Sequence, residues 1–242
     1  MGSSDASVPE GSAAPGEIKD EAHRVVGQLK ELGYRISPSS RFGQYLKIVE
    51  GCAASGTIGH PLLPQALLEF RQLDVITRVY GCLSGASAKL QRVISDPADP
   101  LKSKPEAPGR DTQFELFLGA LLDLGGCAPL IGEPDLVFAH DGVAVGIAAK
   151  RVKSETTLRA RNAGAIDQIE NAAARGEIGR GVVALEATSL ANPDGLVAIT
   201  ESEDLTSSAA AEQAARLGEG ILASEIRSAM DDWPFAGFRV TA

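Results

Sequence analysis

Cysteine is scarce in this sequence: Cys52, Cys82 and Cys127 are odd in number, widely spaced and form no CxxC pair. That pattern indicates neither a disulfide framework nor a zinc knuckle, and it suits a reducing compartment. Basic charge is also short. With 23 Lys and Arg against 32 Asp and Glu the formal net charge is -9, which argues against a generally basic nucleic-acid coat and against adhesion to anionic membranes through bulk electrostatics, so any nucleic-acid contact must be local. Long apolar runs are missing as well: Leu116 to Ile131 is broken by Asp123 and Gly125-Gly126, and falls short of the roughly 20 residues a membrane helix needs. The first sixteen residues, MGSSDASVPEGSAAPG, lack a basic start followed by an apolar stretch and read as a disordered tail. A cytoplasmic protein with no membrane contact is the expectation. Repeats are absent, no GxGxxG, GxxxxGK[ST] or GxSxG occurs in a suitable context, and His23, His60 and His140 have no metal spacing.

The chain has 242 residues, 44% of them hydrophobic, enough to build a core in one large domain or two small ones. Apolar residues Ile18, Ala22, Val25, Val26, Leu29 and Leu32 recur at helical spacing, with Gly33 as the stop. Further helices are expected near Phe42 to Ala53, Pro64 to Tyr80 and Ser84 to Ile94, which makes residues 17–95 an all-helical region. The stretch DPADPLKSKPEAPG, residues 96–109, holds four prolines and no apolar period, and reads as an extended connector. Residues 110–242 change rhythm. A helix at Asp111 to Leu124, capped by Asp111 or Thr112, precedes β-like runs at Ala128 to Ile131, Asp135 to Ala139 and Val143 to Ala149. The Asp141-Gly142 pair signals a hairpin, so a three-stranded meander is expected. A helix from about Thr156 to Arg175 and an apolar strand Gly181 to Leu185 follow, and the order helix, three strands, helix, strand points to an α/β (α+β) domain. An alanine-rich helix over Ser207 to Met230, with Leu217, Ile221, Leu222, Ile226 and Met230 as apolar positions, is expected to pack on it.

Three residues of this domain stand out chemically. Glu115 sits in an otherwise apolar helical run, where an unpaired buried polar group would cost roughly 2–7 kcal/mol. Asp135 enters a strand directly after Pro134, which cannot donate to a ladder. Lys150 closes the apolar strand Val145-Gly-Ile-Ala-Ala. Each has an ordinary alternative: Glu115 on a narrow wet stripe, Lys150 snorkelling at a sheet edge. Residues 150–180 are locally basic at net +3, while residues 201–242 carry -5. Such a basic stretch can meet phosphates, although a solvated helix face explains it equally.

The combination of a helix glutamate, a Pro-Asp at a strand start and a lysine ending the paired strand resembles the PD-(D/E)xK nuclease superfamily over about ninety residues. The resemblance implies a restriction-endonuclease-like mixed central sheet flanked by helices, and a metal-dependent nuclease hydrolysing phosphodiester bonds in nucleic acid, DNA ahead of RNA. It also implies Mg²⁺ or Mn²⁺ on Asp135 and Glu115, with Lys150 orienting the attacking water or offsetting phosphorane charge. One position departs from the pattern: the acid expected two residues before the lysine is Ala148. Either the ligand has moved, to Glu133 or to Glu170, or a single metal is used, or catalysis is lost and a module binding nucleic acid or protein remains. Gln168, on the helix after Lys150, is the candidate assisting side chain, and a solvated helix face is its alternative. The helical N-terminal region would serve oligomerisation or a protein partner.

Overall fold

The computed structural model describes residues 15–57, 59–96, 108–152 and 154–186. The expected C-terminal packing helix, most of the expected tail and most of the proline-rich connector lie outside these residues. Four helices come first: α1 Pro15–Glu31, α2 Arg41–Ser55, α3 Leu63–Val79 and α4 Ala86–Ser95. The first begins inside the sixteen residues expected as tail. It buries Ile18, Ala22, Val25 and Leu29 along one helical face, where Ile18, Val25 and Leu29 each contribute about 1.5–3 kcal/mol on full burial. Leu32, expected on that face, is exposed instead. The helix has already ended, and Gly33 takes φ 87 so that Tyr34 N donates to Leu29 O and Gly33 N to Lys30 O, which satisfies carbonyls the helix leaves open. Ser40 caps α2 by accepting from Gly43 N at 3.2 Å.

The fifth helix, α5 (Pro108–Leu124), starts three residues earlier than its apolar pattern suggests. Proline suits a first turn because its missing donor is not needed there, so Pro108 and Gly109 belong to the helix and not to the connector. Asp111 is consequently no cap; it lies in the first turn with Oδ2 3.6 Å from Arg161 Nη2. Leu116 and Ala120, both fully buried, join the core of the four preceding helices. Gly119 serves the other side: a Cβ there would stand 3.1 Å from Leu136 Cδ2, so the missing side chain lets a strand approach closely.

That strand belongs to a four-stranded sheet ordered β1-β2-β3-β4, with β1 Leu130–Ile131, β2 Leu136–His140, β3 Val143–Arg151 and β4 Arg180–Glu186. The first three run antiparallel, as the expected meander requires. Asp141 (φ 51) and Gly142 (φ 75) form the two-residue turn between paired His140 and Val143, the positive-φ chemistry that hairpins favour. The first strand is shorter than expected, beginning only after Ala128 at φ 43. The chain returns through α6 (Glu155–Ala174) to lay β4 parallel to β3. The described residues are therefore mixed α+β, six helices with one mixed sheet. None of these helices is long and apolar enough to cross a membrane.

A buried charge network ties α5 to the helices before it. Arg41, with no exposed side-chain surface, pairs with Glu69 of α3, lies 3.5 Å from Asp96 through Nε, and donates from Nη2 to Gln113 Oε1 at 2.9 Å. Arg110 lies 3.3 Å from Glu69 Oε1 and donates to the Tyr45 hydroxyl at 2.8 Å. Two guanidiniums thus face two carboxylates. Desolvation, followed by the nearby charge of Arg110, pulls the Arg41 guanidinium down to about 9, still charged at neutral pH.

Candidate functional site

Turn geometry dictates the first contact. With His140 opposite Val143 and Leu136 opposite Ile147, continuing the register outward brings Asp135 opposite Ala148. Its carboxylate then lies within reach of the next two residues. Oδ2 accepts from Ala149 N at 2.8 Å and from Lys150 Nζ at 2.8 Å. Asp135 is 8% exposed as a residue, so its charge is held where solvent screening is weak, and the two donors supply the compensation that burial demands. Lys150 keeps 15% of its side chain exposed. Its ammonium is the polar end of a strand that is otherwise core.

Glu115 approaches from above, on α5. One turn later Gly119 seats the helix against Leu136, the neighbour of Asp135, which explains why the charges of Asp135 and Lys150 both reach the Glu115 carboxyl. Its hydrogen bond goes elsewhere: Lys89 of α4 donates from Nζ to Glu115 Oε2 at 2.5 Å. Burial pushes the Glu115 carboxyl above its ordinary value, the charge of Asp135 adds to that, and Lys89 opposes it without prevailing. The wet-stripe alternative does not describe this residue, whose side chain is 17% exposed and paired.

Glu133 and Gln168 form a second pair. Gln168 Nε2 donates to Glu133 Oε1 at 2.9 Å, while Gln168 Oε1 is buried without a hydrogen-bond partner among the described residues. The structure thus brings Glu115, Asp135 and Lys150 into one neighbourhood and ties Glu133 to α6. Glu170 is exposed on α6. Ala148 is fully buried with an apolar side chain and offers no ligand. Of the basic residues around Lys150, Arg151 pairs with Glu186, Arg161 with Asp111 and Arg175 with Glu177, whereas Arg159 and Arg180 are exposed. A groove of about 420 Å³ between α1 and α2, lined by Lys30, Arg35, Leu46 and Lys47 among others, contains none of the candidate residues. No family model, curated protein or solved structure matches the chain.

Among the described residues no group of three or more His, Cys, Asp or Glu could hold a metal ion. Two carboxylates remain. Each commits one oxygen to a lysine, Glu115 through Oε2 and Asp135 through Oδ2, and leaves Oε1 and Oδ1 without a hydrogen bond among the described residues. Two hard oxygen donors meet the needs of Mg²⁺, which typically keeps several waters and takes only one or two carboxylates. They do not make the closed cage of a structural site. Lys89 is the participant that sequence reasoning missed; a lysine on a short amphipathic helix carries no signal of a distant carboxylate.

The raised Glu115 value has a direction in pH. Between the ordinary value of 4.5 and the raised one, the folded state binds more protons than the unfolded state, so stability falls as pH rises through that window and stays lower above it. Glu115→Gln removes the ionisation. Its melting temperature, relative to the parent protein, should therefore be higher at pH 8 than at pH 4; a difference that is flat or reversed would show that burial does not dominate this carboxyl.

Proposed function

We propose that the sheet and its flanking helices form a restriction-endonuclease-like nuclease module that hydrolyses phosphodiester bonds with the help of Mg²⁺ or Mn²⁺. The carrying observation is that Asp135 and Lys150, fifteen residues apart, meet at 2.8 Å across adjacent strands with Glu115 close enough to feel both. The order α5-β1-β2-β3-α6-β4 supports the same reading. Glu115 and Asp135 would hold the cation through the oxygens not given to lysine. When bound, it supplies Lewis-acid charge for an oxygen of the phosphate. The Asp135 carboxylate fixes the Lys150 ammonium, which can then offset negative charge developing on a scissile phosphate at a site where water is scarce. Gln168, which donates to Glu133, would be the assisting side chain from α6. Exposed Arg159 and Arg180 offer phosphate contacts on an otherwise acidic protein.

Incubation of single- and double-stranded DNA and RNA with Mg²⁺ or Mn²⁺ tests this directly. Cleavage should require the metal, stop with chelator and disappear in Asp135→Asn, which keeps the acceptor for Ala149 N and Lys150 but loses the charge. Cleavage that persists in that variant would sink the assignment. Ala148 favours one second reading, a module that binds nucleic acid or a protein without cutting, because the position expected to hold the other acid is apolar and sealed. Retained nucleic-acid binding without cleavage of any substrate would select it.

A further inference from the structure

The fold of α4 leaves Lys89 little freedom. Ala86, Leu90, Val93 and Ile94 are buried, so the helix is pinned on the side facing α5, and Lys89 lies one turn from Ala86 and one turn from Val93 at the margin of that face. Three-quarters of its side chain is covered, at 25% exposure, and its ammonium ends on Glu115 Oε2. Gly85, just before the helix, packs against Ile131 of β1, with its nearest approach 3.7 Å from the position of an added Cβ. The start of α4 is thereby fixed against the sheet that carries Asp135. Four charges result in one neighbourhood, Lys89 and Lys150 against Glu115 and Asp135, and they sum to zero.

A neutral cluster has no surplus negative charge with which to attract a divalent cation. We propose that Lys89 is a built-in counter-cation that competes with the divalent metal for Glu115, so that the N-terminal helices, through α4, set how readily the site loads. This inference rests on the metal-binding reading above and names its regulation. An ammonium held on one oxygen of a carboxylate reduces the negative charge that its other oxygen presents to a metal. Repulsion acts in addition: an ammonium about 6 Å from a divalent ion weakens its binding about tenfold even at the dielectric constant of bulk water. Any partner that shifts α4, or an anion that draws Lys89 away, would open Glu115 to the metal. A phosphate brought by substrate has the charge to do so, which couples loading of the metal to arrival of nucleic acid.

Mn²⁺ affinity of the full chain, measured by titration calorimetry without nucleic acid, provides the test. Lys89→Met and Lys89→Gln should each bind Mn²⁺ about tenfold or more tightly than the parent; Lys89→Arg should not, because it keeps the charge. Adding Glu115→Gln to Lys89→Met should remove the gain, and circular dichroism melts establish that each variant is folded. Two variants of different shape that behave alike would assign the effect to charge and not to steric cover. Unchanged or weaker Mn²⁺ binding in both Lys89→Met and Lys89→Gln overturns the proposal. If binding then still depends on Asp135, the metal reading survives alone. No Mn²⁺ binding by any variant overturns both.

Discussion

Replacing Arg41 with alanine should destabilise the protein by about 3–5 kcal/mol, the cost of removing one partner from a buried ion pair, read as a fall in the denaturant midpoint. The side chain has no exposed surface, and the acids it faces, Glu69 and Asp96, are only 4% and 5% exposed. Without Arg41, Glu69 keeps Arg110, Asp96 loses the guanidinium 3.5 Å from its Oδ2, and Gln113 loses the donor to its Oε1. The outcome turns on desolvation, not on the attraction of the pair: a charge left in the interior keeps its burial cost and loses its compensation. Replacing Arg41 and Glu69 together by apolar residues of similar length should therefore cost less than Arg41→Ala, since fewer uncompensated charges remain. A single substitution within about 0.5 kcal/mol of the parent, the range of an ordinary surface change, would mean that water reaches the network.

Lys150→Ala should lower the turnover of nucleic-acid cleavage about 10²–10³-fold, as the loss of one preorganised charge-stabilising donor does, while KM moves much less. The ammonium stands in the reading above against charge that develops only as the phosphate reacts, so its removal falls on turnover and not on uniform binding. Asp135 keeps its hydrogen bond from Ala149 N, which holds the carboxylate in place. Lys150→Met retains the packing of the stem along the strand and separates loss of charge from loss of volume. Turnover within twofold of the parent for both variants would remove Lys150 from the chemistry. A rise in KM at constant turnover would make it a binding residue.

Much of the site can be worked out from the chain once one turn is known. Asp141-Gly142 is a strong hairpin pair, and with His140 opposite Val143 every step outward adds one to one strand and subtracts one from the other. Asp135 then has to meet Ala148 and the two residues after it. The helices were equally legible, because Ile18, Ala22, Val25 and Leu29 repeat at the period that their burial requires. The limits of the elements were less so: Pro108 looks like connector by composition, yet it starts α5. The two pairings that matter most to the electrostatics were not legible at all. Lys89 and Glu115 are 26 residues apart, and Arg41 and Gln113 are 72 apart. No spacing rule links such positions; only the packing of one helix on another selects them. A buried arginine at the start of a helix is indistinguishable, in sequence, from a solvated one.

Because α5 gives Leu116 and Ala120 to the core of the preceding helices and seats Gly119 against Leu136 of the sheet, a cut between the four helices and the sheet leaves one side of α5 uncovered among the described residues. A fragment beginning at Pro108 would turn an apolar flank to solvent, and one ending at Asp96 would strip Arg41 of Gln113. Gene shuffling that borrowed the sheet without its helical companion would have inherited a greasy seam and an orphaned salt bridge. The two parts are bound to travel as a single cassette.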